Sequence, residues 1–309
     1  MLVTVAISPT LVLVDYFGKW FENPDYGWSC TIAVYMLIAL VFIIILWRTT
    51  RGYERHREEA GSKFLIADLK EIFKNKATRI VALIFAIGIF SNTINYSIQV
   101  YYFTNYVQLT GAQIATVTLI FGITSIIGAW IVDVLMKKFG KMLAWVIGIG
   151  SEGLVLVAMV GLFIQPGQIA MVYALVILMA VGNAAVYQVP WAMIPDCVDV
   201  TELFTRKRMD GIIFGTVAFI QKASGALGAA LLGILLTKIG YSDTAALAPE
   251  TLTGIKNIFG FLVGGLYLLS VIVVFKYPLS KKKHDRVREA ILERSQGKAI
   301  DMSEFSDLA

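Results

Sequence analysis

The sequence predicts an all-α protein that crosses a membrane several times. Hydrophobic residues make up 57% of its 309 residues and charged residues only 16%, whereas about a quarter of the residues in soluble domains are charged. The mean hydropathy is +0.72. A helix needs about 20 apolar residues to cross the hydrocarbon core. Seven runs approach or exceed that length, and they lie at 29–47, 80–104, 113–136, 142–164, 169–194, 211–237 and 255–275.

The segment before the first full run is too short to span a membrane. It reads "VAISPTLVLV" and offers about ten apolar positions before Asp15, about half of what a spanning helix needs. It lacks the basic start and the small-residue cleavage site of a signal peptide. Two interpretations stay open, an interfacial segment or the second half of a transmembrane helix.

Lys and Arg predict the orientation of the helices. They cluster in alternate breaks, at 48–79, 137–141, 206–208 and 281–283. The loops "NYVQLTGA", "QPGQ" and "YSDTAALAPETLTG" carry none. Because basic residues in short loops stay on the cytoplasmic side, we expect the basic breaks and the C-terminal tail to face the cytoplasm from the plasma (inner) membrane. The net charge of +5 follows from this asymmetry, and no aromatic-interleaved basic groove indicates nucleic acid.

Residues 48–79 are predicted to link two blocks of helices. Within them, apolar residues recur at helical spacing against charged ones, at Phe64, Leu65, Leu69, Ile72 and Phe73. This pattern favours an amphipathic helix on the inner membrane face. Six spans follow over 80–276, and a polar tail, 277–309, forms either another surface helix or a solvated segment.

A single lysine interrupts one of the apolar runs. In "AFIQKASGALG", Lys222 is the formal charge within 211–236, about 16 Å from the start of its helix and so near the bilayer midplane. A charge there costs at least about 2.5–3.5 kcal/mol. We therefore expect Lys222, with the adjacent Gln221, to face a polar interior near a carboxylate, a carbonyl or a substrate, or to pair with an acidic neighbour for packing. No acidic group is expected inside the six spans, so its partner is sought elsewhere.

Two helices carry polar and aromatic residues at helical spacing. One reads "GNAAVYQVPWAMIPD" and offers Asn183, Tyr187, Gln188 and Trp191. Aromatic faces with amide groups suit sugar rings, although Trp191 could equally belong to an interfacial aromatic belt. The other reads "SNTINYSIQVYYFTNY" and offers Asn92, Asn95, Tyr96 and Gln99. A polar stripe inside a span must face protein or water, so it either bonds helices together or lines a cavity.

Two charged segments, "DVLMKKFGK" and "DCVDVTELFTRKRMDG", mix acidic and basic residues at helix ends. Six spans after a long central loop match one half of a common transporter plan, in which two six-helix halves pack around a central site. On that plan, salt bridges among these residues would close the cytoplasmic side when the two halves rock together. Solvated loops are the alternative. The candidate gate residues are Asp133, Lys137, Lys141, Asp196, Asp199, Glu202, Arg206 and Arg208.

Several chemistries find no support in the sequence. It contains no HExxH motif, no P-loop and no nucleophile–base constellation, so neither an enzyme nor the use of ATP is expected. His56 and His284 have no companion ligands, and we expect no metal site and no cofactor beyond a coupling ion. Cys30 and Cys197 fall at opposite ends of the predicted topology and cannot pair.

The segment "PWAMIPDCVDVTE…RKRMDGIIF…QK…GALGAALLG" resembles the signature region of the glycoside–pentoside–hexuronide:cation symporters. This family is a melibiose permease-like branch of the major facilitator superfamily, and "DVLMKKFGK" resembles the superfamily's gate motif. Val200 and Thr201 stand where the family commonly has Tyr-Gly. The resemblance extends over about 1–290 and is most specific over 190–240.

The resemblance implies a twelve-helix plan in which a sugar enters with Na⁺, Li⁺ or H⁺. It places Lys222 on the eleventh helix near the cation and sugar sites, and Tyr187 on the tenth. Residues 1–47 then hold part of helix five and helix six, and 80–276 hold helices seven to twelve. Helices one to four, which carry the family's acidic cation ligands, are not in this sequence.

The leading interpretation is sugar–cation symport by alternating access, with this chain a fragment that depends on the missing N-terminal helices. One alternative is a lipid or lysolipid carrier of the same superfamily. Another is a truncated membrane protein that does not transport.

Overall fold

Long helices form almost all of the described chain. The computed structural model describes residues 13–14, 16–21, 24–51, 66–242 and 247–308. Its helices are α1 (Pro24–Thr50), α2 (Ile66–Lys74), α3 (Lys76–Tyr101), α4 (Gly111–Phe139), α5 (Lys141–Val155), α6 (Ile169–Thr205), α7 (Asp210–Lys238), α8 (Pro249–Asn257), α9 (Gly264–Val274) and α10 (Lys281–Ser295).

Segments of wider, π-helical winding continue three of these helices. Tyr102–Tyr106 extends α3, Leu156–Phe163 extends α5, and Ile258–Val263 joins α8 to α9. A short 3₁₀ helix, Met302–Leu308, lies near the end of the chain. π-Helical segments are frequent at functional sites because they shift the register of the side chains that follow.

The seven predicted spans are confirmed. Seven helices in the described residues are long and apolar enough to cross a membrane, with α8, its π-helical continuation and α9 counted as one. The prediction of a half-span before the first full run rests largely on residues 1–12, which lie outside the described residues. The protein is therefore a multi-pass helical membrane protein.

The chain divides into two compact units, Met1–Phe64 and Leu65–Ala309. In the first unit, a Cβ atom on Gly27 would lie 2.4 Å from the carbonyl oxygen of Val14. The glycine therefore lets the helical turn before α1 approach it closely. Most side chains along α1 are exposed, as expected of a helix whose apolar surface faces lipid.

In the second unit, α6 packs against both α4 and α5, and α3 packs against α7 and α9. Small residues permit these close contacts. A Cβ atom on Gly128 of α4 would lie 2.5 Å from the carbonyl oxygen of Ala180, and one on Gly148 of α5 would lie 2.5 Å from the Cβ of Ala185. The buried core of this unit therefore lies between α6 and the helices packed against it, α4 and α5.

The amphipathic helix α2 packs on this second unit. Ile72 on its apolar face is completely buried. Asn75 follows it and caps α3, since its Oδ1 accepts a hydrogen bond from the backbone N–H of Ala77 at 2.8 Å. Its amide also donates to the carbonyl oxygen of Cys197 and the hydroxyl of Thr201, each at 3.1 Å. These bonds fix the start of α3 against the end of α6.

The tail also folds back onto the second unit. Val287 and Ala290 of α10 are buried, as are Phe305 and Leu308 of the 3₁₀ helix. The guanidinium of Arg294 donates to a backbone carbonyl oxygen in α6 at 2.6 Å. Of the two forms considered for the tail, a packed helix therefore describes Lys281–Ser295.

Candidate functional site

Polar side chains from four helices meet inside the six-span unit, where the surroundings are otherwise apolar. We call them the polar cluster. Its members are Asn92, Asn95 and Tyr96 of α3, Glu152 of α5, Asn183 and Tyr187 of α6, and Tyr267 of α9.

The inner end of the polar cluster is a carboxyl group. Glu152 is 0% exposed. The amide of Asn95 donates to Glu152 Oε1 at 3.0 Å and lies 3.2 Å from the hydroxyl oxygen of Tyr267. The amide of Asn92 donates to the same Tyr267 oxygen at 3.3 Å, and Asn92 Oδ1 accepts from the hydroxyl of Tyr187 at 3.0 Å. A continuous chain of hydrogen bonds therefore leads from Glu152 to Tyr187.

The outer end of the polar cluster is open. Tyr187 is 42% exposed and Tyr96 is 36% exposed, although both rings sit on helices that are mostly buried. The hydroxyl of Tyr96 donates to Asn183 Oδ1 at 3.0 Å. Two tyrosine rings, each backed by an asparagine, therefore border the accessible side of the cluster.

Several polar atoms of this region have no hydrogen-bond partner among the described residues. They are Glu152 Oε2, Asn95 Oδ1, Asn183 Nδ2 and Gln188 Oε1, and all four are buried. Buried polar atoms in proteins are almost always hydrogen-bonded. Unsatisfied buried atoms are therefore unusual, and their concentration here marks the region as a candidate functional site.

Glu152 corrects the expectation that the six spans contain no acidic group in their interior. The expectation was wrong, because Glu152 lies in the run 142–164. The signal that reveals it is the same one that identified Lys222, a lone ionisable residue in an apolar run. Gly182 of α6 makes room for it, since a Cβ atom there would lie 2.3 Å from Glu152 Cβ and 2.4 Å from Oε2.

The structure brings most of the predicted polar and aromatic residues together, but not all. Gln188 is half-buried beside the cluster, and Gln99 is half-buried outside its hydrogen bonds. The ring of Trp191 stacks on Phe214 at 6.2 Å and meets the edge of Phe85 at 5.8 Å. Trp191 therefore packs among α3, α6 and α7.

Lys222 takes no part in the hydrogen bonds that define the polar cluster. It is exposed, with the neighbouring Gln221 half-buried, on a face of α7 that also exposes Phe219 and Leu227. The opposite face packs on α3, where a Cβ atom on Gly228 would lie 2.7 Å from a backbone carbonyl oxygen. Within the described chain no carboxylate lies within 4.0 Å of Lys222. The expected polar interior surrounds Glu152 instead, and a partner for Lys222 stays a prediction.

A second group of charges lies where α5 begins and α6 ends, which we call the basic end. Lys141 Nζ lies 2.7 Å from both carboxylate oxygens of Asp196, which is 4% exposed. The hydroxyl of Tyr277 donates to Asp196 Oδ2 at 3.4 Å. Burial, together with Cys197 and Asp196, raises the pKa of Tyr277 well above its ordinary value, so the hydroxyl keeps its proton. His284 Nε2 from α10 lies 3.4 Å from Asp196 Oδ1.

Arg208 forms ion pairs with other predicted gate residues. Its guanidinium lies 2.9 Å from Glu202 Oε2, 3.5 Å from Asp199 Oδ1 and 3.1 Å from Asp210 Oδ2. Partial burial alone would lower the pKa of Arg208, but the carboxylates of Asp210 and Glu202 reverse the effect and raise it. His284 Nε2 also lies 3.0 Å from Asp199 Oδ2, which links the two groups of charges.

Three predicted gate residues stay outside this network. Asp133 and Lys137 form a separate exposed pair at 2.6 Å, one turn apart on α4. Arg206 is exposed and ends α6 in a left-handed conformation with φ 59°, and no carboxylate of the described residues lies within 4.0 Å of it. The network therefore centres on Lys141, Asp196, Asp199, Glu202 and Arg208.

Comparison with known proteins agrees with the helical plan. A family model described as "MFS/sugar transport protein" matches residues 1–281. An uncharacterized symporter of Synechocystis sp. is 29% identical over 252 residues, which cover 76% of this chain and 44% of the relative. The uncharacterized symporter YnaJ of Bacillus subtilis is 27% identical over 283 residues, which cover 90% of this chain and 60% of the relative. The putative glycoside/cation symporter YagG of Escherichia coli is 28% identical over 306 residues, covering 96% and 64%.

The chain spans between 44% and 64% of the length of these three relatives. The match covers most of the chain, including the first helix, the six-span unit and the connection between them. It confirms the resemblance to the cation symporters of glycosides, pentosides and hexuronides. This chain therefore belongs to the MFS/sugar transport family, which is a family of membrane transporters and not of enzymes.

Proposed function

We propose that the chain is part of a secondary active transporter, with residues 80–276 as its C-terminal half. Residues 1–47 belong to the N-terminal half, 48–79 form a cytoplasmic linker, and 277–309 form a cytoplasmic tail. The transporter carries a glycoside, a pentoside or a hexuronide together with a monovalent cation by alternating access. The polar cluster, open on one side and enclosed by apolar helices, is the observation that carries this proposal.

The open side of the polar cluster suits a sugar. The rings of Tyr96 and Tyr187 offer apolar faces to the C–H surfaces of a pyranose or furanose. Their hydroxyls donate to Asn183 and Asn92 and can still accept hydrogen bonds from sugar hydroxyls.

The exposed face of α7 completes the proposed site. Lys222 and Gln221 lie on it, and a charge at that depth is favourable only against a polar or oppositely charged partner. N-terminal helices of the kind that the family resemblance implies would supply carboxylates to that face. We therefore assign Lys222 to the vicinity of the cation and the sugar, as the family resemblance implies.

The basic end is the proposed cytoplasmic gate. The excess of Lys and Arg at this end favours the cytoplasmic side. The Lys141–Asp196 pair and the Arg208 group hold the ends of α5, α6 and α7 together, so they move as one body. Contacts between this body and an N-terminal half would form and break as the transporter changes sides.

Uptake of labelled sugars tests the proposal. Cells that express the protein from its own gene are given radiolabelled methyl galactoside, methyl xyloside or glucuronate. We expect uptake of at least one, and a decrease on the order of tenfold in the Tyr187→Ala variant, because one net hydrogen bond and its ring contact correspond to about that factor. Tyr173→Ala, a half-buried tyrosine outside the cluster, is the matched control.

Membrane levels of each variant are measured alongside uptake. No uptake of any of the three sugars, with the protein present in the membrane, would contradict the proposal. Movement of a labelled lysolipid instead would favour the lipid-carrier alternative.

A further inference from the structure

Two reciprocal hydrogen bonds join α3 and α6 at the open side of the polar cluster. The hydroxyl of Tyr96 on α3 donates to Asn183 Oδ1 on α6 at 3.0 Å. The hydroxyl of Tyr187 on α6 donates to Asn92 Oδ1 on α3 at 3.0 Å. In each helix the asparagine precedes the tyrosine by four residues, so the two side chains share a helix face. Each tyrosine is therefore held by the asparagine of the other helix.

Each of these tyrosine hydroxyls has a single proton, and an asparagine oxygen receives it. A phenolic hydroxyl has one O–H donor and can also accept. Once the O–H points at Asn92 or Asn183, only the lone pairs of the hydroxyl oxygen are left for a ligand. Both asparagines are buried, whereas Tyr96 and Tyr187 are exposed. A ligand on the open side therefore meets two hydroxyl oxygens that accept hydrogen bonds and do not donate them.

The hydrogen bonds behind Tyr187 set the direction in which the amide of Asn92 faces. The nitrogen of Asn92 donates to the hydroxyl oxygen of Tyr267 at 3.3 Å. That oxygen also accepts from the amide of Asn95 at 3.2 Å, and the same amide donates to Glu152 Oε1 at 3.0 Å. Both amide nitrogens thus point inward, away from the open side. The oxygen of Asn92 is left to face Tyr187.

We propose that Tyr96 and Tyr187 select the substrate by accepting hydrogen bonds from two of its hydroxyl groups. Asn92 and Asn183 act as positioning residues, because they hold the tyrosine protons away from the substrate. This inference rests on the proposed transport function and narrows the substrate at this face to a sugar edge with two free hydroxyls.

The selection also determines how a charged sugar can lie. Among the described residues, the polar cluster includes no Lys, Arg or His side chain. An ionised carboxylate can only accept hydrogen bonds, and the two tyrosine oxygens have no proton to offer it. The carboxylate of a hexuronide therefore points away from Tyr96 and Tyr187, and neutral hydroxyls face them.

Sugar analogues that lack one hydroxyl distinguish a protein group that accepts from one that donates. A hydroxyl group both donates and accepts. A hydrogen atom in its place removes both capacities, whereas a fluorine atom carries no proton and keeps a weak capacity to accept. If the protein donates, fluorine restores part of the binding that hydrogen loses. If the protein accepts, fluorine restores none of it.

Competition by such analogues measures the selection in cells that express the protein from its own gene. The probe is whichever of labelled methyl galactoside, methyl xyloside and glucuronate the cells take up. Its unlabelled monodeoxy and monodeoxyfluoro analogues are the competitors. We expect two ring positions at which both analogues compete about tenfold less well than the parent sugar, because one net hydrogen bond corresponds to about that factor. Stronger competition by the fluoro than by the deoxy analogue at every ring position would overturn the proposal.

Tyrosine variants assign these positions to side chains. Tyr187→Phe should abolish the difference between parent and analogues at one position, and Tyr96→Phe should abolish it at the other. Such a cycle isolates the interaction between one sugar hydroxyl and one protein hydroxyl. Tyr173→Phe, at a half-buried tyrosine outside the cluster, is the matched control and should keep both differences. Analogue patterns that are the same in the wild type and in both cluster variants would also overturn the proposal.

Asn92→Leu tests the positioning role. It removes the oxygen that accepts from Tyr187, so the tyrosine hydroxyl becomes free to donate. We expect the fluoro analogue to compete several-fold better than the deoxy analogue at the position assigned to Tyr187, because a donor now faces the fluorine. The ratio between the two analogues does not depend on how much protein reaches the membrane, so a purely structural loss would leave it unchanged. Asn183→Leu should have the same effect at the position assigned to Tyr96, and unchanged ratios in both variants would remove the positioning role.

Calorimetric binding to the purified protein in lipid separates this inference from the proposed function. The three parent sugars and their analogues are titrated. Binding with the expected pattern, but without uptake, would keep the selection and remove transport. Uptake in which fluorine restores competition at every position would keep transport and remove the selection. Neither binding nor uptake of any of the three sugars would remove both.

Discussion

Asp196 and Glu152 are two carboxyl groups of one unit with nearly equal burial and opposite surroundings. Asp196 is 4% exposed and Glu152 is 0% exposed. The Nζ atom of Lys141 lies 2.7 Å from Asp196 Oδ1. The carboxylate of Asp196 also contacts the hydroxyl of Tyr277 and the ring nitrogen of His284. Glu152 accepts one hydrogen bond, from the side-chain amide of Asn95.

Burial alone therefore says little about what a carboxyl group does. A buried ion pair with good geometry holds its charges in place, so Asp196 is suited to fixing helix ends. A buried carboxyl group with neutral partners has no such restraint, so its charge can change. In this chain the first arrangement lies at an end of the bundle and the second lies within it.

Removing the cation of Asp196 is expected to have the largest effect. Lys141→Met leaves a buried carboxylate with only His284 and Tyr277 nearby. We expect a loss of about 3 kcal/mol in the free energy of unfolding, because breaking a buried pair strands the remaining charge. Chemical unfolding in detergent, followed by tryptophan fluorescence, measures the loss.

The double variant Lys141→Met with Asp196→Leu supplies the control. It should recover most of the lost stability, because two apolar side chains replace both charges. A single variant that is as stable as the wild type would show that Asp196 does not depend on Lys141, and the contrast with Glu152 would disappear.

Crowding Glu152 is expected to have an intermediate effect. Gly182→Ala places a Cβ atom where 2.3 Å separates it from Glu152 Cβ, so the two helices must move apart. Overpacking of this kind costs about 1–3 kcal/mol. Gly150→Ala on α5 is the matched control, since its nearest neighbour lies at 3.6 Å. Thermal unfolding of both variants in the same detergent decides the comparison, and equal midpoints would contradict the close approach of α6 to Glu152.

Loss of the charge of Asp307, a carboxylate near the protein surface, should have the smallest effect on stability. The hydrogen bond from Lys283 lowers the pKa of Asp307 below its ordinary value. The pair therefore stabilises the docked tail above the ordinary carboxyl pKa of about 4, and this contribution is lost as the pH falls through the lowered value. Exposed pairs contribute less than about 1 kcal/mol.

Hydrogen exchange of residues 302–308 at neutral and acidic pH measures this contribution. Asp307→Asn at neutral pH should show the faster exchange that the wild type shows in acid. If acid leaves the exchange of this segment unchanged, the pair does not hold the tail.

Hydropathy was sufficient to predict the spans, because each must be apolar over about 20 residues wherever it packs. The ends of the helices were harder to predict. The apolar run that starts at 169 ends at 194, whereas α6 continues to Thr205. Its last turns carry Asp196 and Asp199, whose charges are satisfied by Lys141, His284 and Arg208 from elsewhere in the fold. Hydropathy cannot register such distant partners.

The polar stripe of α3 was also visible in the sequence, but its role was not. Spacing placed Asn92 and Asn95 together on a helix, while packing alone decided that both face Tyr267 and that only Asn95 reaches Glu152. Lys222 shows the reverse case. Its position in an apolar run drew attention to it, yet the packing of α7 on α3 leaves it on the exposed face.

By itself, the sequence determined that this protein is helical, spans a membrane, and belongs with the symporters whose motifs it carries. These properties depend on composition and on neighbours in the chain. The tertiary structure alone decided which ionisable groups are paired, which are buried and which are open, because those properties depend on residues far apart in sequence. Glu152 and Lys222 are each a single charge in an apolar run, and only the packing of helices distinguishes them.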